Sequence, residues 1–280
     1  MSLLDRVREA HQFDPTGLVP FVIDGQLVGY AELLFAAALA EYPNEFRLED
    51  GKLHLATIMR SPKGRTEAVA FVLADLKRRN LVPGWRDELY PVFINPGDDL
   101  LQIERATATL FGIRTIAVNL NGYVEKDGEV SIWLQRRAMS KPISPGKLDV
   151  LVSGGLPAGG DPFENVVREC HEEAGIEDAL ARQARYVGTL DFRATRRDGV
   201  HHGHYLNYDL SVSETFQPDN QDGEVDDFLL LSAREVMDIL STTRDVAFDS
   251  ALVIIDFLLR RGIVDPTHPE HDDLCKALYA

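Results

Sequence analysis

Two cysteines in 280 residues, Cys170 and Cys275, are too few for a disulfide framework and too far apart for a zinc-knuckle spacing. That scarcity fits a reducing cytoplasm, the compartment expected for this chain. Long apolar runs are also missing. Stretches such as "LVIIDFLL" fall well short of a membrane span, and "MSLLDRVREAHQF" has the spacing of a short amphipathic helix without the apolar run or cleavage site of a signal peptide. No membrane partner is expected. Positive charge is in deficit: 29 Lys and Arg stand against 45 Asp and Glu, a formal charge of −16. Nucleic acid is therefore not an expected partner, since phosphate backbones need clustered basic residues. A small phosphorylated ligand is not excluded, because a local cation can invert the field. Internal repeats and low-complexity tracts are absent, and the sequence leaves a homodimer open.

What is present divides near residue 112. In the first part, "VPFVIDGQLVGYA" and "FRLEDGKLHL" each place two apolar runs around an Asp-Gly pair, at Asp24-Gly25 and Asp50-Gly51, as tight hairpins require. "TEAVAFVLADLKRR" has helical spacing with basic residues in its last turn. "LVPGWRDELYPVFINPGDD" is rich in Pro and Gly and reads as the approach to the junction. Residues 1–111 thus form a smaller α/β domain of unknown role, expected to help shape a substrate pocket.

Residues 112–280 alternate hairpins with docked helices, which favours an α+β layer over a doubly wound sheet. "IRTIAVNLNGYV" and "EVSIWLQRR" read as strands joined at Asp127-Gly128, and "KLDVLV" leads through a glycine loop into a helix from Pro162. "ARYVGTLDFRA" and "HYLNYDLSV" suggest a hairpin across "TRRDGVHHG", followed by a strand at "DDFLLLS" and helices at "AREVMDIL" and "SALVIIDFLLRRG".

The chemistry concentrates in "SGGLPAGGDPFENVVRECHEEAGIED". Asp161 is a good N-cap, Pro162 suits the first helical position, Glu164 completes a capping box, and Gly175 suits the end. Phe163, Val166, Val167, Cys170 and Ala174 form one apolar stripe, which makes Cys170 a core residue. The opposite side carries Glu169 and Glu173, with Glu172 beside them. A solvated acidic face would cost only a few tenths of a kcal/mol per like-charge pair. The sharper reading is a hard-cation site for Mg²⁺ or Mn²⁺, since Gly154 and Gly155 just before the helix would let a polyphosphate approach.

This stretch resembles the Nudix box: Gly154, then Arg168, Glu169, Cys170, Glu172, Glu173, Gly175 and Ile176 at the box spacing. Gly160 departs from it, standing where the box has Glu. The resemblance implies a Nudix fold, a mixed sheet between helices, and Mg²⁺- or Mn²⁺-dependent hydrolysis of a diphosphate linkage in a small molecule. It implies Glu169, Glu172 and Glu173 as metal ligands, with Glu169 and Glu172 in catalysis, Arg168 steadying a glutamate, and the main-chain carbonyl of Ser153 facing the metal. Glu224 in "DGEVDDF" is the candidate general base, as relatives often supply a carboxylate from a downstream loop; a solvated turn residue is the competing account. "IERATATLFGIRTIAVNLNGYV", "WLQRRAMSK…PGKLDVLVSGG", "DNQDGEVDDF" and "ALVIIDFLLRRG" resemble a subgroup related to fungal thiamine pyrophosphokinase fusions, which implies thiamine diphosphate or its damaged analogues as substrate.

Arg136 and Arg137 are candidates for a phosphate clamp, although strand alternation puts them on opposite sheet faces. Arg196 and Arg197 read as exposed loop charge. His202 and His204 share a strand face, without a third zinc ligand in view. Trp85 and Trp133 read as core or interface aromatics. Gly160 supports a second functional reading, a ligand-binding or regulatory module on a Nudix scaffold that has lost turnover. A Nudix isomerase is disfavoured because Cys170 faces the core.

Overall fold

A computed structural model describes residues 1–56 and 60–279. The chain opens with helix α1 (Leu3–Ala10), closed at its start by a reciprocal Ser2–Asp5 capping box. Strands β1 (Leu18–Ile23) and β2 (Gln26–Glu32) turn at Asp24-Gly25, both with positive φ as such a turn demands. Helix α2 (Leu33–Leu39) leads to β3 (Phe46–Glu49) and β4 (Lys52–Leu55), turning at Asp50-Gly51. These strands form one sheet in the order β2-β1-β4-β3, backed by α3 (Pro62–Arg78).

A third hairpin follows, β5 (Leu89–Phe93) and β6 (Asp99–Glu104), then the short helix α4 (Ala108–Phe111), which ends on left-handed Gly112. The Pro/Gly-rich approach to the junction is therefore a paired hairpin. Its alternating inward residues Tyr90, Val92, Leu101 and Ile103 join the core of β1–β4 and α3.

The larger sheet is built on two long strands, β7 (Arg114–Lys126) and β8 (Glu129–Arg137). They pair only near their shared turn, at Gly122–Lys126, and then diverge. Into the gap come β9 (Leu148–Val150), paired to β8, and β10 (Val152–Gly155), paired to β7. Helix α5 (Pro162–Ala174) and the short α6 (Asp178–Ala181) follow, then the hairpin β11 (Arg185–Arg196) and β12 (Gly199–Ser211), with β12 parallel to β7. Strand β13 (Val225–Ser232) completes the order β11-β12-β7-β8-β13, and helices α7 (Ala233–Thr242), α8 (Ser250–Arg260) and α9 (His271–Leu278) end the chain.

Alternation along the strands sends residues to two apolar layers. Ile132 and Leu134 meet α7, α8 and α9 on one face, while Trp133 and Leu120 meet α5 and α6 on the other. This is a mixed sheet between helices, the α+β Nudix architecture, preceded by the smaller N-terminal unit. No helix among the described residues is long and apolar enough to cross a membrane.

Helix α1 does not pack with the N-terminal sheet. Its Leu3, Leu4, Val7 and Ala10 belong to the same cluster as α8 and α9. Arg6 is 1 % exposed. It pairs with Glu9 and donates through Nη2 to the carbonyl of Val246 at 2.7 Å. Arg196, expected in an exposed loop, also reaches α1, donating to the Glu9 carbonyl at 3.0 Å. The β11–β12 turn is only Arg197-Asp198, so both strands run further than their apolar residues suggest.

Removing Arg6 takes the donor from the Val246 carbonyl and leaves Glu9 only its longer pairs with Arg196 (3.6 Å) and Arg244 (3.7 Å). Arg6→Ala is expected to cost about 3 kcal/mol, the scale for breaking a buried pair. Arg8→Ala on the exposed side of α1 should stay within about 0.5 kcal/mol. Urea denaturation of both variants checks the contrast.

Candidate active site

Helix α5 begins as its residues require. Asp161 Oδ1 accepts the amides of Phe163 and Glu164, each at 2.9 Å. The expected capping box is only half made, because the Glu164 carboxylate is taken by Arg182 at 2.8 and 2.9 Å. Gly175 ends the helix at φ 60°. The following acidic loop is fastened to this end: the amides of Gln221 and Asp219 donate to the carbonyls of Glu172 (2.9 Å) and Ala174 (3.0 Å). That fastening brings the segment carrying Glu224 beside the carboxylates.

The apolar stripe is buried as expected, and burial pushes the Cys170 thiol up to about 12, consistent with a packing role. The opposite side is not a solvated face. Glu169 is 9 % exposed and Glu173 2 %. The reason is β10, which lies against that side of the helix. A Cβ on Gly154 would collide with the Glu169 carboxyl, so the bare backbone there makes room for it. Glu173 Oε2 accepts the Ser153 amide at 2.8 Å and Gln135 Nε2 at 3.0 Å. Both glycines were expected to admit a phosphate. The structure gives the Gly154 space to Glu169, and the Gly155 space to the hydroxyl of Tyr90.

Like-charge crowding is relieved by Arg168. It donates to Glu169 Oε1 at 2.6 Å and Asn165 Oδ1 at 2.7 Å, and also pairs with Glu172. Asn165 in turn donates to the Gly155 carbonyl at 3.2 Å, tying helix to strand. Burial raises the Glu169 carboxyl, with Glu172 adding to it and Arg168 opposing. Burial is also the main cause that pushes Glu173 up to about 8, against the Ser153 amide.

Arg136 and Arg137, the candidates for a phosphate clamp, are both engaged within the sheet. Arg136 is held by the Gly146 carbonyl (2.8 Å) and Asp245 (3.2 Å), and Arg137 by buried Asp149 at 2.7 Å. Both join β8 to its neighbours, and of the two only Arg137 lines the cavity beside β10. Further cations come from elsewhere. Lys141 is nearly buried and pairs with Glu224, and Arg86 approaches Glu224 at 3.9 Å. Arg105 follows β6, its guanidinium held to Glu88 at 2.7 Å and facing the Tyr90 ring at 5.5 Å. Arg86, Tyr90 and Arg105 lie in the N-terminal unit, so no spacing within the box could reveal them.

A cavity opens beside β10, lined by Lys141, Ser153, Gly155 and His202 of the larger part and by Tyr90 and Arg105 of the N-terminal unit. His202 is held down to about 4, by burial first and then by Arg193 and Arg114, so it is neutral near pH 7. His204 does not join it as a ligand pair, since Asp191 takes its Nδ1 at 2.9 Å.

Among the described residues no three His, Cys, Asp or Glu side chains form a ready-made metal cluster. The donor set nevertheless fits a hard divalent cation. Glu169 and Glu173 lie one turn apart on one side of α5, and burial raises both carboxyls, Glu169 despite its pair with Arg168 and Glu173 with no ion pair among the described residues. Between its unfolded value near 4.5 and about 8, the folded chain keeps a proton on Glu173 that the unfolded chain has released. Stability of the metal-free protein should therefore fall as pH rises through that window. In denaturant titrations at pH 5 and 8 without metal, Glu173→Gln is expected to lose clearly less stability than wild type; equal losses would contradict the assignment.

Comparison with known proteins places the chain in a family. A NUDIX domain model matches residues 114–251, and a model described as a domain of unknown function (DUF4743) matches residues 1–115. Nudix hydrolase 24, chloroplastic, of Arabidopsis thaliana is 40% identical over 265 residues, covering 93% of this chain and 72% of that protein. Nudix hydrolase 20, chloroplastic, of the same plant is 39% identical over 272 residues, with the same coverage of 93% and 72%. The crystal structure of DR0079 from Deinococcus radiodurans aligns at 21% identity and a TM-score of 0.47, covering 61% of this chain and 98% of that one. With the two Arabidopsis proteins matching through both of its parts, the chain belongs to the Nudix hydrolase family and is a Nudix-type pyrophosphohydrolase.

Proposed function

We propose that this enzyme hydrolyses the diphosphate of a small heterocyclic compound, thiamine diphosphate or an altered form of it, with Mg²⁺ or Mn²⁺ held by Glu169, Glu172 and Glu173 and by the Ser153 carbonyl. The observation that carries the metal assignment is the burial of Glu169 and Glu173 against β10 without full counter-charge. A bound divalent ion would supply that charge, polarise the phosphoryl oxygens and lower the pKa of water.

The protein's own residues do the positioning. The Ser153 amide and Gln135 fix the Glu173 carboxylate from behind. Arg168 holds Glu169 and Glu172 apart from free rotation, and yields those oxygens to a stronger cation without leaving the helix face. Glu224 is the candidate base. It sits on the loop fastened to α5 and pairs with Lys141, a cavity-lining ammonium for which a substrate phosphate would compete. Gly160 leaves the loop without the usual box carboxylate; its amide closes a turn on the Pro157 carbonyl at 3.0 Å.

A phosphate-release screen tests the reading, over thiamine diphosphate, its oxo and oxy analogues, nucleoside diphosphate sugars, dinucleotides and nucleoside triphosphates, with Mg²⁺ or Mn²⁺. Metal-dependent turnover of a thiamine compound is expected, falling about 10²–10³-fold in Glu173→Gln with folding retained, the scale for removing one charge-stabilising group. Saturable binding without turnover across the panel would favour the regulatory module instead.

A further inference from the structure

The strand β10 has neighbours on both sides, and only one of them is the carboxylate helix. On the other lies Tyr90, whose hydroxyl fills the space that a side chain at Gly155 would take. The same edge is stitched by the Ala158 amide, which donates to the Leu89 carbonyl at 2.9 Å. The loop between β10 and α5 is thus docked on the β5–β6 hairpin of the N-terminal unit.

The cavity between these parts has a volume of about 170 Å³. A cavity of about 150 Å³ is enough for one benzene ring, so this one suits a single ring-sized group and not two nucleosides. Its walls are polar enough to orient such a group. His202 is neutral and offers one ring nitrogen as donor and one as acceptor. Asp249 and Asp149 already hold the Tyr205 hydroxyl (2.7 Å) and Arg137, so the aspartates are fixed features of the wall. Arg105 has one side-chain hydrogen bond among the described residues, Nη1 to Glu88, leaving further guanidinium donors for an anion.

We propose that the N-terminal unit is the substrate-selecting half of the active site, Tyr90 and Arg105 framing a cavity that takes one ring-sized polar group while Arg105 binds the phosphate attached to it. This rests on the hydrolase reading for its catalytic consequence, but the binding site stands on geometry alone. It also assigns a task to a domain whose family description assigns none.

Deleting residues 1–111 cannot test it, because α1 is part of the core shared with α8 and α9. Point variants can. Arg105→Ala removes the phosphate donor from a half-exposed side chain, Arg105→Lys restores charge without the fork, and Ala117→Leu fills the cavity from β7. The probes are thiamine monophosphate and inorganic phosphate, read by the shift each causes in Tm, which needs no turnover. Thiamine monophosphate should raise Tm of the wild type more than phosphate does. Ala117→Leu should abolish that excess, and Arg105→Ala should at least halve the shift with either probe. In turnover of thiamine diphosphate, Arg105→Ala should raise KM about tenfold with kcat within threefold, and Arg105→Lys should recover part of the loss, as a bidentate donor replaced by a point charge does.

Equal shifts in wild type and all variants, or no excess of thiamine monophosphate over phosphate, would overturn the proposal while leaving any observed hydrolysis in place. The expected shifts without turnover would sustain the binding site and remove thiamine diphosphate as the substrate.

Discussion

Two residues without side chains govern this site. Successive positions of a strand face opposite ways, so Gly154 and Gly155 leave one bare patch on each side of β10. Glu169 of α5 occupies the first and Tyr90 of the N-terminal unit the second. Neither glycine sits at positive φ, so what they supply is space and not an unusual backbone. Because the strand is thin there, the carboxylates of α5 and the cavity wall come within one backbone thickness of each other.

The same closeness changes the electrostatics of three adjacent-turn glutamates. On an exposed helix such pairs repel by only tenths of a kcal/mol, whereas two charges 4 Å apart at an effective dielectric of about 20 interact by about 4 kcal/mol. Packing α5 against β10 moves Glu169 and Glu173 from the first regime toward the second. The chain, acidic overall, answers with cations placed locally. Arg168 spans Glu169 and Glu172 on the helix, Lys141 approaches from the loop after β8, and Arg105 comes from the other domain. Glu173, tied to an amide and a neutral side chain, is the group whose charge the protein leaves most incompletely matched.

Much of this was legible in the residues. The three Asp-Gly hairpins turn where their left-handed positions require, and the cap, the stripe and the terminal glycine delimit α5. What was not legible depends on partners distant in sequence. The apolar stripe shows which face of α5 enters the core, but it cannot show that the other face is covered by a strand. Arg136 and Arg137 have the right chemistry for phosphate; only the positions of Asp245 and Asp149 reveal that they are occupied. The β5–β6 hairpin was hidden by Pro91 and by the Pro-Gly turn at its tip, both of which weaken a strand pattern. Tyr90 and Arg105 lie on that hairpin and just beyond it, so missing it concealed the second half of the site.

Helix α1 adds a constraint on how the two halves can move. The chain begins in the body with α1, leaves to build the N-terminal sheet, and returns through α4 into β7. The first passage is held by the Gln12 carbonyl to the Thr195 amide at 2.9 Å, and by Arg193 stacked on Phe13 at 4.0 Å. Arg6 meanwhile grips the Val246 carbonyl, next to Ala247 and Asp249 of the cavity wall. Two crossings and a clamp on the wall oppose the single-linker swing by which domain pairs usually close on a ligand. A cavity so braced is largely preformed, and a preformed cavity discriminates by what fits at little conformational cost. The extended N-terminal region and the small volume of the pocket are then two aspects of one arrangement, in which the domain that does not carry the carboxylates determines what reaches them.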